Sequence, residues 1–226
     1  MEIRFHGVSK KYQRQKDNVW ALKQCSFSLA SGSTTLITGA NGSGKSTLLS
    51  LAGGIIRPTS GRIYCDEVET SGQSEPFRSR FRQCNFGYHF QGEHLLSGLS
   101  IAENLTLAAL PRLVSLQANR QKIEQLLEQL RVGADADTRV EQLSGGQQQK
   151  VSLARALIND PPVILADEPT NHLDEASAAE IRELLCTLPG KTVVIVSHDP
   201  VFATEFFFDQ RLFLDDGKVQ FAEGAS

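Results

Sequence analysis

Eight residues constrain the fold of this chain more than any others: Gly39-Ala40-Asn41-Gly42-Ser43-Gly44-Lys45-Ser46. They fit the pattern G-x-x-x-x-G-K-[ST]. Leu36-Ile37-Thr38 precedes them as a strand-like run, and Thr47-Leu48-Leu49-Ser50-Leu51-Ala52 follows with a helical pattern. A strand that turns through glycines straight into a helix leaves backbone N–H groups free to close on one spot, with no Cβ in the way. The helix N-terminus adds a fixed positive end. The loop therefore reads as a cradle for a polyphosphate. Gly39 to Ser43, Gly44 and Thr47 surround the phosphates, Lys45 reaches the β- and γ-phosphates, and Ser46 offers its hydroxyl to Mg²⁺.

The rest of the chain has to supply a sheet and helices around that loop. Strand-like segments fall at 2–8, 25–29, 34–38, 61–66, 85–90, 163–167, 192–197 and 211–214. Several are near-continuous apolar runs, the pattern of strands buried on both faces. Helical patterns alternate with them, which predicts a largely parallel sheet with helices on both sides. From about 92 to 158 the signals are helical only, so a helical insertion is expected between two strands of one unit spanning 1–226. Within it Ile123, Leu126, Leu127 and Leu130 form one apolar stripe, read as packing against the main lobe. That helix is expected to run to about Arg131, with Gly133 as its stop. The tail from 215 to 226 reads as a closing hairpin and a loose end.

Composition excludes several classes. With 23 basic and 26 acidic residues the net charge is −3, which argues against nucleic acid as the main partner. The one basic cluster, Arg78-Ser79-Arg80-Phe81-Arg82, reads as a solvated surface turn. The cysteines at 25, 65, 84 and 186 form no C-x-x-C pair, so a metal or disulfide framework is not expected and a reducing compartment is. The first residues lack the apolar core of a secretion signal. Apolar runs such as Val193-Val194-Ile195-Val196 fall far short of the ~20 residues of a membrane helix, so a membrane role has to be peripheral, through a partner.

Two further motifs carry chemistry. Val163-Ile164-Leu165-Ala166 is an apolar strand that ends in Asp167-Glu168. Such a strand delivers Asp167 to the sheet edge beside the loop, where it suits Mg²⁺, and turns Glu168 elsewhere, where it suits a base for an attacking water. Leu143-Ser144-Gly145-Gly146-Gln147 opens a second helix, expected over 147–158, with a serine cap and open backbone: a second anion site. One nucleotide cannot easily use both helix starts within one molecule. A head-to-tail dimer, with each nucleotide between the loop of one copy and Ser144 to Gln147 of the other, resolves this.

Taken together these motifs resemble the ATP-binding subunits of ABC transporters, over essentially the whole chain. The resemblance implies a P-loop NTPase α/β fold: a mostly parallel sheet flanked by helices, with a helical subdomain insertion and an N-terminal antiparallel β-subdomain. It implies ATP and Mg²⁺ as ligands and ATP hydrolysis as the reaction. By it, Gln91 is the Q-loop glutamine that contacts Mg²⁺ and water, and His198 is the switch histidine on the γ-phosphate. Glu168, His198, Gln91 and Lys45 are then the catalytic set, and Ser46, Gln91 and Asp167 hold the metal. Asp174, in Asn171-His172-Leu173-Asp174, is the D-loop aspartate across the dimer, and Tyr12 stacks on adenine, with Trp20 as a rival ring. Implied partners are an integral membrane permease and a second ATPase subunit, identical or paralogous. The implied place is the cytoplasmic face of the inner membrane. The segment 92–97, with Leu95 and Leu96, is the expected docking surface.

The stretches 51–61 and 86–91 resemble the lipoprotein-release and macrolide-export branch in particular. Asn171-His172 replaces the smaller residues more frequent in that loop, and Lys150 stands where arginine is commoner. Three functions are therefore carried forward. One is an energy-coupling subunit of a transporter. Another is a mechanotransmission ATPase that regulates a cell-envelope complex without transport. The third, a soluble ABC protein on ribosomes or DNA, is disfavoured by the acidic balance and the single cassette.

Overall fold

Two kinds of strand in this sequence build two kinds of sheet in the computed structural model, which describes residues 1–14, 17–90, 94–112 and 115–221. In chain order the first elements are β1 (Ile3–Arg14), β2 (Asp17–Leu29), β3 (Thr34–Thr38), α1 (Lys45–Ala52), β4 (Ser60–Cys65) and β5 (Val68–Glu69). Then come α2 (Glu75–Asn85), β6 (Phe86–His89), α3 (Ile101–Ala109), α4 (Leu116–Gln129) and α5 (Gly145–Leu157). The last are β7 (Val163–Asp167), α6 (Glu175–Cys186), β8 (Thr192–Val196), α7 (Pro200–Glu205), β9 (Gln210–Asp215) and β10 (Lys218–Phe221).

Near the N-terminus buried and outward residues alternate: Ile3 and Phe5 are buried, and His6 between them and Val8 is exposed. Strands with one wet face pair antiparallel, and the sheet β2-β1-β4-β5 is antiparallel throughout. The second sheet has the order β10-β9-β3-β8-β7-β6, parallel except for the terminal β9–β10 hairpin. Its strands β7 and β8 are buried along their whole length.

Period-two alternation divides the parallel sheet between two cores. Val163, Leu165, Val194 and Val196 face α1 and the antiparallel sheet, among Leu48, Phe5 and Phe27. Ile164, Ala166, Val193 and Ile195 face the helices, among Ile101, Ile123, Leu127 and Leu153. Ile123, Leu126, Leu127 and Leu130 all belong to that second core, so the stripe read from the sequence packs on the main lobe. Between β6 and β7 every described element is helical.

Some elements depart from the sequence expectation. The first two strands run well past the expected 2–8 and 25–29 as a long hairpin. Polar residues at 10, 11 and 13 hide this in the pattern, while Lys10 lies 5.2 Å over the Tyr12 ring and Lys11 5.5 Å over Trp20. The cluster around Arg78 is no turn: it lies on α2, with Arg78 buried. Glu75 pairs with Arg78 and with Arg82, the latter at 2.7 Å, which collects charges three and seven residues apart on one helix face. α4 ends with Leu130 as its cap and Arg131 at φ 50°, two residues before Gly133.

β6 and α5 touch at Gly87, where a Cβ would stand 2.2 Å from the Ala156 carbonyl oxygen. Backbone meets backbone there, so Gly87→Ala has to push β6 and α5 apart. The expected loss is about 1–3 kcal/mol. Calorimetry should record a fall in Tm of roughly 3–10 °C, and an unchanged Tm would mean that the contact yields without cost.

Candidate nucleotide site

In an open parallel sheet, ligands bind beyond the carboxyl ends of the strands. Here β3, β8 and β7 are neighbours, and their pairing sets Ile37, Val196 and Asp167 side by side. The loop after β3, the acids at the end of β7 and the histidine after β8 are thereby delivered to one edge. They meet at a cleft of about 680 Å³.

The loop from 39 to 46 closes on itself. The Ser43 N–H donates to the Ala40 carbonyl at 3.1 Å. Lys45, only 6% exposed, donates from Nζ to the carbonyls of Gly39 and Ala40 at 2.8 and 3.1 Å. Gly44 caps α1 at φ 110°, and a Cβ there would lie 2.2 Å from the Ala21 carbonyl oxygen, so only glycine fits. Asn41, Gly42, Gly44, Lys45, Ser46 and Thr47 line the cleft; Gly39, Ala40 and Ser43 form the loop behind them.

Asp167 is buried, with the Ser46 hydroxyl near enough to favour its charged form. Burial pushes the Asp167 carboxyl up, the Ser46 hydroxyl opposes this, and the charge of Glu168 adds to the rise. Its Oδ1 is buried without a hydrogen-bond partner. A carboxylate oxygen with unused capacity beside a hydroxyl is the donor set that a hard cation takes, so the residues present fit Mg²⁺.

Glu168 turns away from its neighbour because its backbone is left-handed, at φ 49°. Its Oε2 sits 2.8 Å from His198 Nδ1 and accepts from the His198 N–H at 3.2 Å. Glu168 is 7% exposed, while the His198 side chain is 55% exposed to the cleft. The acid and the imidazole, 30 residues apart in sequence, form one unit.

Tyr12 and Trp20 both line the cleft, together with Val19 and Ala21 from β2. Asn171 and His172 line it as well, from the loop that follows Glu168. Gln91 lies outside the described residues. Ser144, Gly145, Gly146, Gln147 and Asp174 do not line this cleft. Ser144 and Gln147 make a reciprocal cap on α5, Ser144 Oγ accepting from the Gln147 N–H at 3.3 Å and Gln147 Oε1 from the Ser144 N–H at 3.0 Å. Ser144 and Gly145 are exposed. Asp174 caps α6, accepting from the N–H and hydroxyl of Ser177 at 3.0 and 2.8 Å, and those bonds hold its carboxyl low.

Sequence reasoning missed the brace behind the site. Arg182, 3% exposed, donates to Asp199 at 2.9 Å and to Glu175 at 2.9 Å. Asp199 also accepts from Thr170 at 3.0 Å. One guanidinium thus joins the start of α6 to the residue after His198. A lone arginine in a helix pattern reads as a solvated face; only the fold buries it.

Comparison with known proteins places these features. Residues 22–171 match the family described as ABC transporter. The ABC transporter ATP-binding protein MJ0796 of Methanocaldococcus jannaschii is 36% identical over 225 residues, covering 96% of this chain and 95% of the relative. The lipoprotein-releasing system ATP-binding protein LolD of Buchnera aphidicola is 37% identical over 85% of this chain and 86% of its own length. The macrolide export ATP-binding/permease protein MacB 1 of Aeromonas hydrophila is 39% identical over 96% of this chain but only 34% of its own. A dimeric structure of MJ0796 in a post-hydrolysis state, bound to ADP and Pi, superposes with a TM-score of 0.88 at 33% identity, covering 99% of this chain and all of that one.

Proposed function

The chain belongs to the ABC transporter family of ATP-binding proteins, and on that premise we propose that it hydrolyses ATP as the energy-coupling subunit of a membrane transport machine. One observation carries the reading. The phosphate loop, Glu168 and His198 converge on one cleft, with Asp167 buried next to Glu168, while the exposed helix start at Ser144 stands outside it.

The phosphates of ATP enter the loop and replace the carbonyls of Gly39 and Ala40 as partners of Lys45. Backbone N–H groups from 41 to 47 close on them, and the start of α1 faces their charge. Tyr12 takes the adenine ring. Ser46 and Asp167 hold Mg²⁺, with Gln91 as a third contributor. When bound, the metal neutralises charge on the phosphates. Glu168 accepts a proton from the attacking water while His198, bonded to Glu168 through Nδ1, turns its other edge to the γ-phosphate. Ser144, Gly145, Gly146 and Gln147 of a second copy or a paralogue close the far side, with Asp174 at the same interface.

ATP then binds the closed dimer better than the open one, and hydrolysis removes the contacts that hold it closed. No described helix is long and apolar enough to cross a membrane; the motion acts on a membrane permease, from its cytoplasmic face. The surface for that partner lies at the end of β6. A groove of about 430 Å³ runs beside β6, lined by Tyr88, Phe90, His94 and Arg155. Leu95 packs on the helical core and Leu96 is 54% exposed. Two of the relatives named above are named for lipoprotein release and macrolide export, which favours a transport or envelope machine over a ribosomal one.

The test is affinity capture of tagged Glu168→Gln protein from membranes solubilised in mild detergent with ATP present. A multi-spanning permease in stoichiometric amount is the expected result. Ribosomal or DNA-associated proteins with no membrane subunit would overturn the reading.

A further inference from the structure

His172 lines the cleft with a ring that the catalytic constellation above does not use. Its backbone is left-handed at φ 65°, a conformation that glycine adopts freely and a residue with a Cβ adopts at a cost. Glu168, four residues earlier, is left-handed as well. Between them the Asn171 N–H donates to the Glu168 carbonyl at 3.2 Å, and the Leu173 N–H to that of Thr170 at 3.4 Å. The chain thus doubles back at the acid and carries residue 172 to the cleft. The imidazole is exposed, lines the cleft, and among the described residues has no hydrogen bond, ion pair or ring contact. Strained residues cluster where function holds them, and nothing among the described residues uses this ring.

Tyr12, Val19 and Trp20 give the lining of the cleft an aromatic and apolar part, and Lys45, Ser46, Glu168 and His198 a polar one. The turn that joins His172 to Glu168 ties it to the polar part. We propose that His172 contacts the terminal phosphate of the nucleotide in the same chain, a second imidazole beside His198, and so sets the preference for ATP over ADP. This rests on the reading of the cleft as an ATP site. A donor that reaches only the terminal phosphate adds affinity for the triphosphate and none for the diphosphate.

Calorimetric titration with ATP and ADP tests it, using Glu168→Gln protein as the reference and a concentration at which sedimentation shows a monomer. His172→Ala and His172→Gly are each added to that background. The expected result is an ATP affinity lower by about 10-fold in both, with ADP affinity unchanged. The glycine variant guards against misfolding, because glycine relieves the strain. An unchanged ratio of ATP to ADP affinity in His172→Gly overturns the proposal, and so does an equal loss for both nucleotides. Lys45→Ala separates the two readings. If it weakens both nucleotides while the His172 variants keep the native ratio, only the role of His172 fails. If it weakens neither, the cleft is not the nucleotide site and both readings fail.

Discussion

Glu168→Gln lowers ATP turnover by about 10²–10⁴-fold and leaves ATP affinity near its native value. Glutamine has the shape of glutamate and keeps an oxygen for the His198 N–H, 3.2 Å from Oε2 in the native chain. The left-handed backbone at φ 49° is set by neighbours that do not change, including the bond from the Glu168 N–H to the Val196 carbonyl at 2.8 Å. The substitution therefore removes one property, the capacity to take a proton from water, and little geometry. Phosphate release at saturating ATP measures it. A rate within a few-fold of the native protein would remove Glu168 from the role of base.

Lys45→Ala acts on binding instead. Lys45 is nearly buried, and its ammonium already bridges two loop carbonyls at 2.8 and 3.1 Å. Gly39 is half-buried and Ala40 exposed, so water can serve their carbonyls after the substitution and the fold loses little. The nucleotide loses charge-assisted bonds to its phosphates, roughly 2–4 kcal/mol in all, or about 30–1000-fold in Kd. The chain has a single tryptophan, Trp20, on the wall of the same cleft. Its fluorescence gives the titration directly. A Kd within twofold of the native value would contradict the phosphate-cradle role.

What could be read from the sequence divides along a physical line. Features whose residues adjoin in the chain were legible. The loop from 39 to 46 is continuous, and β3 and β7 begin and end where their apolar runs do, at 34–38 and 163–167. The second helix start was legible too, because a cap is a local device: Ser144 and Gln147 are three residues apart. Features made by tertiary contact were not. The Glu168–His198 pair exists only because β7 and β8 are neighbours in register. Arg182 bridges α6 and the residue after His198 from a helix whose pattern alone reads as surface. The cluster around Arg78 reads as a surface turn because a run of charges carries no apolar stripe; in the fold it lies on a helix that starts after Ser74, with Pro76 in its first turn. The choice between Tyr12 and Trp20 was open in the sequence, and in the fold both rings stand on the cleft.

The brace through Arg182 also gives the opening motion a route. The start of α6, where Asp174 faces outward, is tied by one buried guanidinium to Asp199 and hence to the loop of His198. On the proposed function, in which His198 meets the terminal phosphate and the start of α6 meets the second subunit, this brace is the physical link between the two. This is a contiguous chain of charged contacts rather than a diffuse softness of the loop.

The central claim is that each nucleotide is completed by the Ser144 helix start of another copy. Sedimentation of Glu168→Gln protein tests it most directly. With ATP the mass is expected to rise from 24.8 kDa to about twice that value, and with ADP to stay at the lower one. Adding Ser144→Arg, which sets a bulky cation at the exposed start of α5, is expected to abolish the ATP-dependent dimer while ATP binding to the monomer persists. Protein that binds ATP yet stays monomeric, or a dimer indifferent to Ser144→Arg, would contradict the account.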